Sequence, residues 1–265
     1  MVEQSRSGQL YLSRARLRTG RGEALASIAP MLVGGSKSRT AAAGHRIVWM
    51  LFQKTPDAGH EPNWRQSEDG FLWREEAAGR YMILSRREPA DEHALFELQS
   101  KSFEPALRAG DRLGFALRAN PVVSTKAALA NRDGGSKPDQ ARQRGKRVDV
   151  VMHALNQVQP TRWQDGHAVS GRALERDTIA TAAVTDWLTK QGARHGFAVA
   201  KPPTVTNYAQ VAVERTRGRP AGISVADISG EIEVTDPATF VTRLPLGFGS
   251  AKAFGCGLML IRRAS

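Results

Sequence analysis

The most distinctive stretch of this sequence is GFGSAKAFGCG at residues 247–257, directly before the apolar residues 258–261. Glycines at this density let the backbone turn tightly and approach a ligand, and their amides can bind phosphate oxygens. Lys252 adds a positive charge among them. The stretch is equally compatible with a plain connection between a helix and a last strand. A dinucleotide-binding fingerprint does not fit, because that motif follows a strand and opens a helix.

Upstream of this stretch, hydrophobic periodicity predicts alternating strands and helices. Each half of the chain combines strands with two helices, which indicates an α+β fold of two β-α-β-β-α-β units. Strands are predicted at residues 10–18, 71–74, 81–85, 112–119, 148–155, 208–214, 223–234 and 258–261. Helices are predicted at residues 40–52, 90–99, 176–191 and 237–244, with Gly44 a weak point in the first and Gly192 the stop of the third.

The clearest boundary between the two units is NRDGGSKPDQARQRGKR at residues 131–147. This stretch is rich in basic residues, has no large apolar ones and is punctuated by glycine and proline, so it is predicted to be a linker. The predicted division is a first domain at 1–130, this basic linker, and a second domain at 148–265.

The composition indicates a folded protein with a polyanionic partner. Of the 265 residues 41% are hydrophobic, too many for a disordered chain, and the formal net charge is +12. Nucleic acid is the commonest partner of a protein with such a positive charge, and an anionic membrane surface is the alternative partner. A third interpretation is that the composition is simply rich in arginine and the charge serves no partner. The single cysteine, Cys256, excludes an intrachain disulfide and a cysteine-rich zinc site and favours a reducing cytoplasm. Residues 1–21 lack an apolar stretch and no apolar run approaches ~20 residues, so neither a signal peptide nor a membrane span is expected.

Four blocks occur together in one chain: the glycine-rich stretch at 247–257, YLS at 11–13, FALRANP at 115–121 and GHRIVWMLF at 44–52. Together they resemble the CasE family, which supplies the CRISPR repeat-RNA endonuclease of type I-E Cascade complexes. The resemblance implies a tandem ferredoxin-like (RRM-like) fold, a CRISPR repeat RNA hairpin as substrate and the other Cascade subunits as partners. It also implies cleavage at the 3′ base of the hairpin by the ribose 2′-OH, without a metal or cofactor.

The candidate catalytic residue is His45, one of six histidines. Histidine has an ordinary pKa of about 6.5, so it can move protons near neutral pH. His45 is expected near the start of its helix, where amides and the helix dipole favour a phosphate, and the resemblance places the family's catalytic histidine on this helix. Some members of the family have a tyrosine one turn earlier, where this chain has Ala42, so a second catalytic group is not identified. Candidate cations beside the phosphate are Lys37, Arg39 and Arg46.

The candidate RNA-binding residues are arginines, glycines and one lysine. The stretch ERTRGRP at 214–220 lies between two predicted strands and is predicted to be a hairpin tip, narrow enough to reach phosphates along the deep major groove of A-form RNA. A solvated charged turn is the alternative. The basic residues 142–147 are either a further contact or a disordered segment. The predicted contacts are Arg118, Arg215, Arg217, Arg219, Gly249, Lys252, Gly255 and Gly257.

Three functions compete for this sequence. The first is a repeat-RNA endonuclease that keeps its product and becomes a Cascade subunit. The second is an RNA-hairpin-binding module of the same fold without cleavage, and the third is a basic ribosome-associated or membrane-surface protein without a site. His45 favours the first over the second, and the joint occurrence of the blocks at 115–121 and 247–257 argues against the third. Base stacking on a sheet is the weaker binding mode, because only 6% of residues are aromatic.

Overall fold

The computed structural model describes residues 9–18, 37–52, 70–92, 94–125, 146–158, 161–164, 167–170, 175–213 and 221–264. The strands are β1 (Tyr11–Leu17), β2 (Phe71–Ala77), β3 (Arg80–Ser85), β4 (Phe96–Ser102), β5 (Arg112–Ala119), β6 (Val122–Thr125), β7 (Lys146–Asp149), β8 (Thr161–Gln164), β9 (His167–Ser170), β10 (Phe197–Val199), β11 (Thr204–Val213), β12 (Ala221–Val234) and β13 (Met259–Arg263). The helices are α1 (Lys37–Trp49), α2 (Val150–Leu155), α3 (Arg176–His195) and α4 (Pro237–Arg243), and 3-10 turns cover Met50–Phe52, Leu244–Leu246 and Lys252–Phe254.

The first sheet has the strand order β2-β3-β1-β4, and all its neighbouring strands are antiparallel. Helix α1 covers one face, because its adjacent apolar residues Ile47 and Val48 pack on side chains from this face. Phe71, Ile83 and Phe96 supply that face from three different strands. The helix that carries the predicted catalytic residue is thereby fixed to the first sheet.

The second sheet has the order β10-β12-β5-β13. The long strand β12 pairs along one edge with both β10 and β11, and along the other with β5. Helix α3 packs on the outer face of this sheet through Val184, Trp187 and Leu188, which meet Leu117 and Ile228. Because these side chains recur at helical spacing on α3 and alternate along the strands, the sequence pattern accounts for this layer.

The inner faces of the two sheets meet. Leu72 and Leu84 of the first sheet form one apolar cluster with Leu258 and Leu260 beside and on β13. The layers therefore follow the order α1, first sheet, second sheet, α3. Among the residues that the structure describes, no helix is long and apolar enough to cross a lipid bilayer.

Most predicted elements are confirmed with shifted ends, but the helix predicted at residues 90–99 is wrong. This segment instead leads into β4, which pairs with β1. The Asp91 carboxylate accepts hydrogen bonds from the amides of Leu95 and Phe96, which fixes the bend before the strand. The residues of this segment have a high helix propensity, but they form a strand because pairing with β1 places Phe96 in the core.

Two further predictions are corrected in the second half. The strand predicted at 148–155 is β7 followed by α2, whose N-cap Asp149 accepts a hydrogen bond from the Met152 amide. Gly192 does not stop α3, which ends at Gly196 in the left-handed conformation. Gly192 is required inside the helix, because a Cβ there would overlap the Phe197 carbonyl.

Strand β5 precedes the predicted linker but is hydrogen-bonded between β12 and β13 of the second sheet. The chain before residue 131 therefore contributes strands to both sheets. Of the predicted linker at 131–147, only Lys146 and Arg147 are described, and they begin β7, which pairs with β6. The division into 1–130, 131–147 and 148–265 stays a prediction.

Candidate functional site

Two of the sequence blocks that carry the family resemblance lie side by side. The Gly257 amide donates to the Arg118 carbonyl at 2.7 Å, and the Ser250 amide donates to the Asn120 carbonyl at 3.3 Å. The buried Asn120 side chain in turn donates to the Ser224 carbonyl of β12 at 2.6 Å. The glycine-rich loop at 247–257 is therefore fastened to the end of β5 and to the β11–β12 hairpin.

Trp73 of β2 joins the same loop to α1. Its ring is buried, and a Cβ added to Gly255 would lie 3.3 Å from it. A Cβ added to Gly44 on α1 would overlap the same ring. Gly44 is therefore not a weak point of the helix but the residue that lets Trp73 approach it. Helix α1 consequently contacts both the 252–254 turn and β11.

His45 follows Gly44 directly and is half-buried. Its imidazole stacks on the Phe71 ring at 5.4 Å and 21° and lies near-parallel to the Trp49 ring at 6.3 Å and 22°. Stacking on rings of the core limits the rotation of the imidazole, which suits a group that must present one nitrogen to a reacting atom. The helix that carries the predicted catalytic residue thus contacts the 252–254 turn of the glycine-rich loop.

The expectation that His45 lies near a helix N-terminus is wrong. Helix α1 begins at Lys37, so His45 is eight residues into a helix of 13 and beyond the reach of the first-turn amides. Lys37 and Arg39 precede it by about 12 and 9 Å along the axis, at a rise of about 1.5 Å per residue. Their side chains lie outside what is described, and Arg46 is exposed beside His45.

The residues of the glycine-rich loop that are predicted to contact RNA also have structural roles within the protein. Gly249 and Gly257 have positive φ angles of 76° and 100°, and a Cβ on Gly249 would lie 2.7 Å from the Asn120 carbonyl. The Lys252 ammonium donates to the Gly249 carbonyl at 2.9 Å. Ala251 also adopts a positive φ, 58°, which is strained for a residue with a Cβ. An RNA contact for these residues stays a prediction.

The predicted hairpin tip joins two strands whose pairing is described. β11 and β12 are antiparallel, and their last partners toward the tip are Val213 and Ala221. The register confirms that the two strands pair antiparallel up to these residues, and the segment that joins them, residues 214–220, lies outside the described part of the chain. Arg215, Arg217 and Arg219 themselves lie outside the described residues, so their role stays a prediction.

Arg118, predicted as an RNA contact, is engaged by a carboxylate inside the protein. Its Nε and Nη2 atoms each donate to Asp227 at 2.8 Å, so the pair is bidentate. Arg74 of the first sheet approaches the same carboxylate at 4.0 Å. Burial raises the pKa of Asp227, but the hydrogen bonds and charge of Arg118 outweigh it, so the pKa lies below its ordinary value. Burial lowers the pKa of Arg74, whose Nε and Nη1 have no hydrogen-bond partner among the described residues.

Sequence reasoning missed Trp73, Arg74 and Asp227. Asp227 carried a signal, because it is a charged residue between the apolar Ala226 and Ile228 in a predicted strand. Nothing local indicates its partners, since they come from two other strands far apart in the chain. Among the described residues no cluster of three or more His, Cys, Asp or Glu side chains is arranged to hold a metal ion.

Comparisons with known proteins identify the family. A family model described as CRISPR associated protein matches residues 10–263. The chain belongs to this family. No curated protein gave a match to the sequence.

Solved structures share the fold. Cse3 from Thermus thermophilus, bound to an RNA representing a pre-cleavage complex, matches with a TM-score of 0.61 and 20% identity over 96% of this chain and 99% of that one. Cas6e from Escherichia coli K-12 matches with a TM-score of 0.53 and 20% identity over 96% and 100% of the two chains. The predicted α+β class is thereby confirmed, tandem ferredoxin-like domains are consistent with it, and the resemblance drawn from the sequence blocks is confirmed.

Proposed function

We propose that this protein is a CRISPR repeat-RNA endoribonuclease that cleaves at the 3′ base of a repeat hairpin and stays bound to its product as a Cascade subunit in the cytoplasm. The observation that carries the proposal is the meeting of two family blocks at one place. Helix α1, which carries His45, packs against Trp73 and contacts the 252–254 turn of the glycine-rich loop, whose Gly255 approaches the same ring.

The chemistry requires little of the protein. The ribose 2′-oxygen attacks the adjacent phosphorus, the bond from phosphorus to the 5′-oxygen breaks, and the products are a 2′,3′-cyclic phosphate and a 5′-OH. The 2′-OH proton must leave, and the departing 5′-oxygen must gain one. His45 performs one of these transfers, worth about 10²- to 10⁴-fold for a well-placed general acid or base. Because the nucleophile belongs to the RNA, no metal-activated water is needed.

Charge on the phosphate in the transition state needs cations nearby. Lys252 belongs to the loop next to α1, and Lys37, Arg39 and Arg46 lie on α1 itself. Arg215, Arg217 and Arg219 are proposed to hold the RNA stem from the hairpin tip. The second protein group for proton transfer is not assigned, since Ala42 stands where some relatives carry a tyrosine.

A non-catalytic hairpin-binding module is the second candidate, and Ala42 is the observation that favours it. Incubating the protein with end-labelled repeat hairpin in EDTA separates the two. The endoribonuclease gives a single cut, and the 5′ fragment carries a 2′,3′-cyclic phosphate that mass spectrometry identifies. Binding without any cut would instead support the module, and a cut that requires Mg²⁺ would contradict the proposed chemistry.

A further inference from the structure

A cavity of about 400 Å³ opens between the two sheets, next to the glycine-rich loop. It lies at the small end of the ~300–1,000 Å³ typical of small-molecule sites. One wall comes from β2 and the loop, the opposite wall comes from the β11–β12 hairpin, and the Arg118–Asp227 pair lies between them. The residues that line it are Trp73, Glu75, Arg118, Asn207, Ala209, Val211, Ile223, Val225, Asp227, Phe254 and Gly255.

The lining combines flat apolar surface with hydrogen-bonding groups. Trp73 and Phe254 supply aromatic rings, and Val225 supplies apolar surface from the hairpin. Asn207 and Asp227 supply an amide and a carboxylate, joined by a hydrogen bond from Asn207 Nδ2 to Asp227 Oδ2 at 3.3 Å. Unpaired nucleobases are recognised by this combination, through stacking on aromatic rings and hydrogen bonds to their edges.

One residue of the lining lies at an irregularity of the β11–β12 ladder. Asn207 has a φ of 52°, at the point where the pairing of β11 with β12 shifts register between Thr206 and Ala209. Asparagine adopts this left-handed conformation more readily than most residues, and the bulge directs the Asn207 amide toward Asp227 in the cavity wall.

The charges of the lining select a base over a phosphate. Glu75 and Asp227 are acidic, and Arg118 is neutralised by its bidentate pair with Asp227. Arg74 also lies 4.0 Å from Asp227, so the acidic groups are balanced by arginines. The cation of the lining is already paired and is not offered to a phosphate, whereas base N–H groups can donate to carboxylate and amide oxygens. The cavity is also too small for a duplex. A sugar-phosphate backbone would therefore pass outside, beside Lys252 of the adjoining turn.

We propose that this cavity binds the base of one unpaired nucleotide of the RNA, close to the scissile phosphate. This inference rests on the proposed function and specifies which part of the RNA substrate is recognised. The cavity lies close to the candidate site, because the Trp73 ring that lines it is also the ring approached by Gly44, the neighbour of His45 in the chain. Capture of a base here would hold the strand on the His45 side of the loop. Pulling one nucleotide out of the stack would also align the 2′-oxygen for in-line attack.

The test combines RNA hairpins that lack one base with a protein variant whose cavity is filled by a larger side chain. Ala209 lines the cavity from an exposed position, so Ala209→Phe should fill it without disturbing the core. Gln210 is its exposed neighbour on the opposite face of β11 and does not line the cavity, so Gln210→Phe is the matched control. Dissociation constants are measured for hairpins that carry one abasic site at each unpaired position in turn, and melting temperatures confirm that each variant is folded.

The parent protein and Gln210→Phe should lose roughly tenfold in affinity at one abasic position, the size of one base stack. Ala209→Phe should bind the intact RNA about that much more weakly and lose nothing further at that position. The inference is overturned if Ala209→Phe binds the intact RNA as tightly as the parent does, or if it loses as much affinity as the parent at every abasic site. In that case, cleavage of the hairpin by the parent protein would still support the proposed function. A parent that neither binds nor cuts any hairpin overturns both.

Discussion

Arg118 and Asp227 are partners across the β5–β12 ladder, and the guanidinium donates to both carboxylate oxygens at 2.8 Å. Arg74 reaches the same carboxylate from the first sheet at 4.0 Å. One carboxylate thus serves two guanidinium groups at the junction of the two sheets. Removing its charge would deprive Arg74, whose side chain is only 14% exposed, of the carboxylate that it approaches.

Asp227→Asn should therefore lower the free energy of unfolding by about 3 kcal/mol, the lower end for a broken buried pair. The matched control is Glu231→Gln on the same strand, since Glu231 pairs with the exposed Lys201 at 2.9 Å. An exposed pair contributes about 1 kcal/mol or less. Urea denaturation measures the free energy of unfolding of both variants. Equal losses would show that the pair at Asp227 stabilises the protein no more than an exposed ion pair does.

The same pair predicts a pH dependence. The pKa of Asp227 is lower in the folded than in the unfolded protein, so its contribution is complete above the ordinary value of 3.8 and is lost as pH falls below it. The stability difference between the parent and Asp227→Asn should be constant from pH 7 to about 5 and shrink at lower pH. A difference that persists undiminished at pH 2 would contradict this assignment.

Gly255 is predicted to be structural as well as functional. It has a φ of 75°, and its Cβ position lies 3.3 Å from Trp73, so Gly255→Val should lower the melting temperature by several degrees through strain and overpacking. Gly110→Val is a control for strain alone, because Gly110 has a φ of 88° with no atom within 4 Å of its Cβ position. A Gly255→Val protein that melts with the parent but loses RNA affinity would show that the loop serves RNA only.

Lys252 is predicted to bind one phosphate. Its ammonium is held against the Gly249 carbonyl at 2.9 Å, which fixes the charge within the loop. Lys252→Ala should weaken RNA binding and reduce the slope of log affinity against log salt by about 1. Lys190→Ala on the exposed face of α3 removes the same charge elsewhere. If both variants change the slope alike, Lys252 acts only through net charge.

The hairpin tip is predicted to grip the RNA stem. Replacing Arg215, Arg217 and Arg219 together by alanine should flatten the salt dependence by about 0.9 for each phosphate that the tip no longer neutralises. The control replaces three exposed cations elsewhere, Arg86, Lys101 and Arg108, with the same change in net charge. An unchanged slope in the hairpin variant would mean that the tip does not touch the RNA.

Local sequence patterns predict the elements whose periodicity matches their packing. β5 alternates buried and less buried residues, and α3 repeats apolar residues at helical spacing, so both are predicted correctly. The segment at 90–99 is misleading, because its helix formers are overridden by pairing of β4 with the distant β1. Asp149 is an N-cap residue type, but the apolar residues that follow it suit a strand as well as a helix, which explains the wrong prediction at 148–155.

The candidate site divides in the same way. His45 and the glycine-rich loop are identified through blocks that resemble a known family, and the structure places their segments together. Trp73 and Asn207 could not be identified, since a cavity between two sheets depends on long-range pairing that no local pattern encodes. The predicted position of His45 in its helix is wrong because the helix starts earlier than its apolar pattern indicates, at Lys37.

The most direct measurement of the central claim is the rate of hairpin cleavage in EDTA by His45→Ala, with the dissociation constant measured on the same preparation. The exposed His153 on α2 provides the control, His153→Ala. Loss of a proton-transfer group should slow cleavage by about 100-fold or more and leave RNA affinity within a few-fold of the parent. Parental cleavage by His45→Ala, or an equal loss in His153→Ala, would contradict the account.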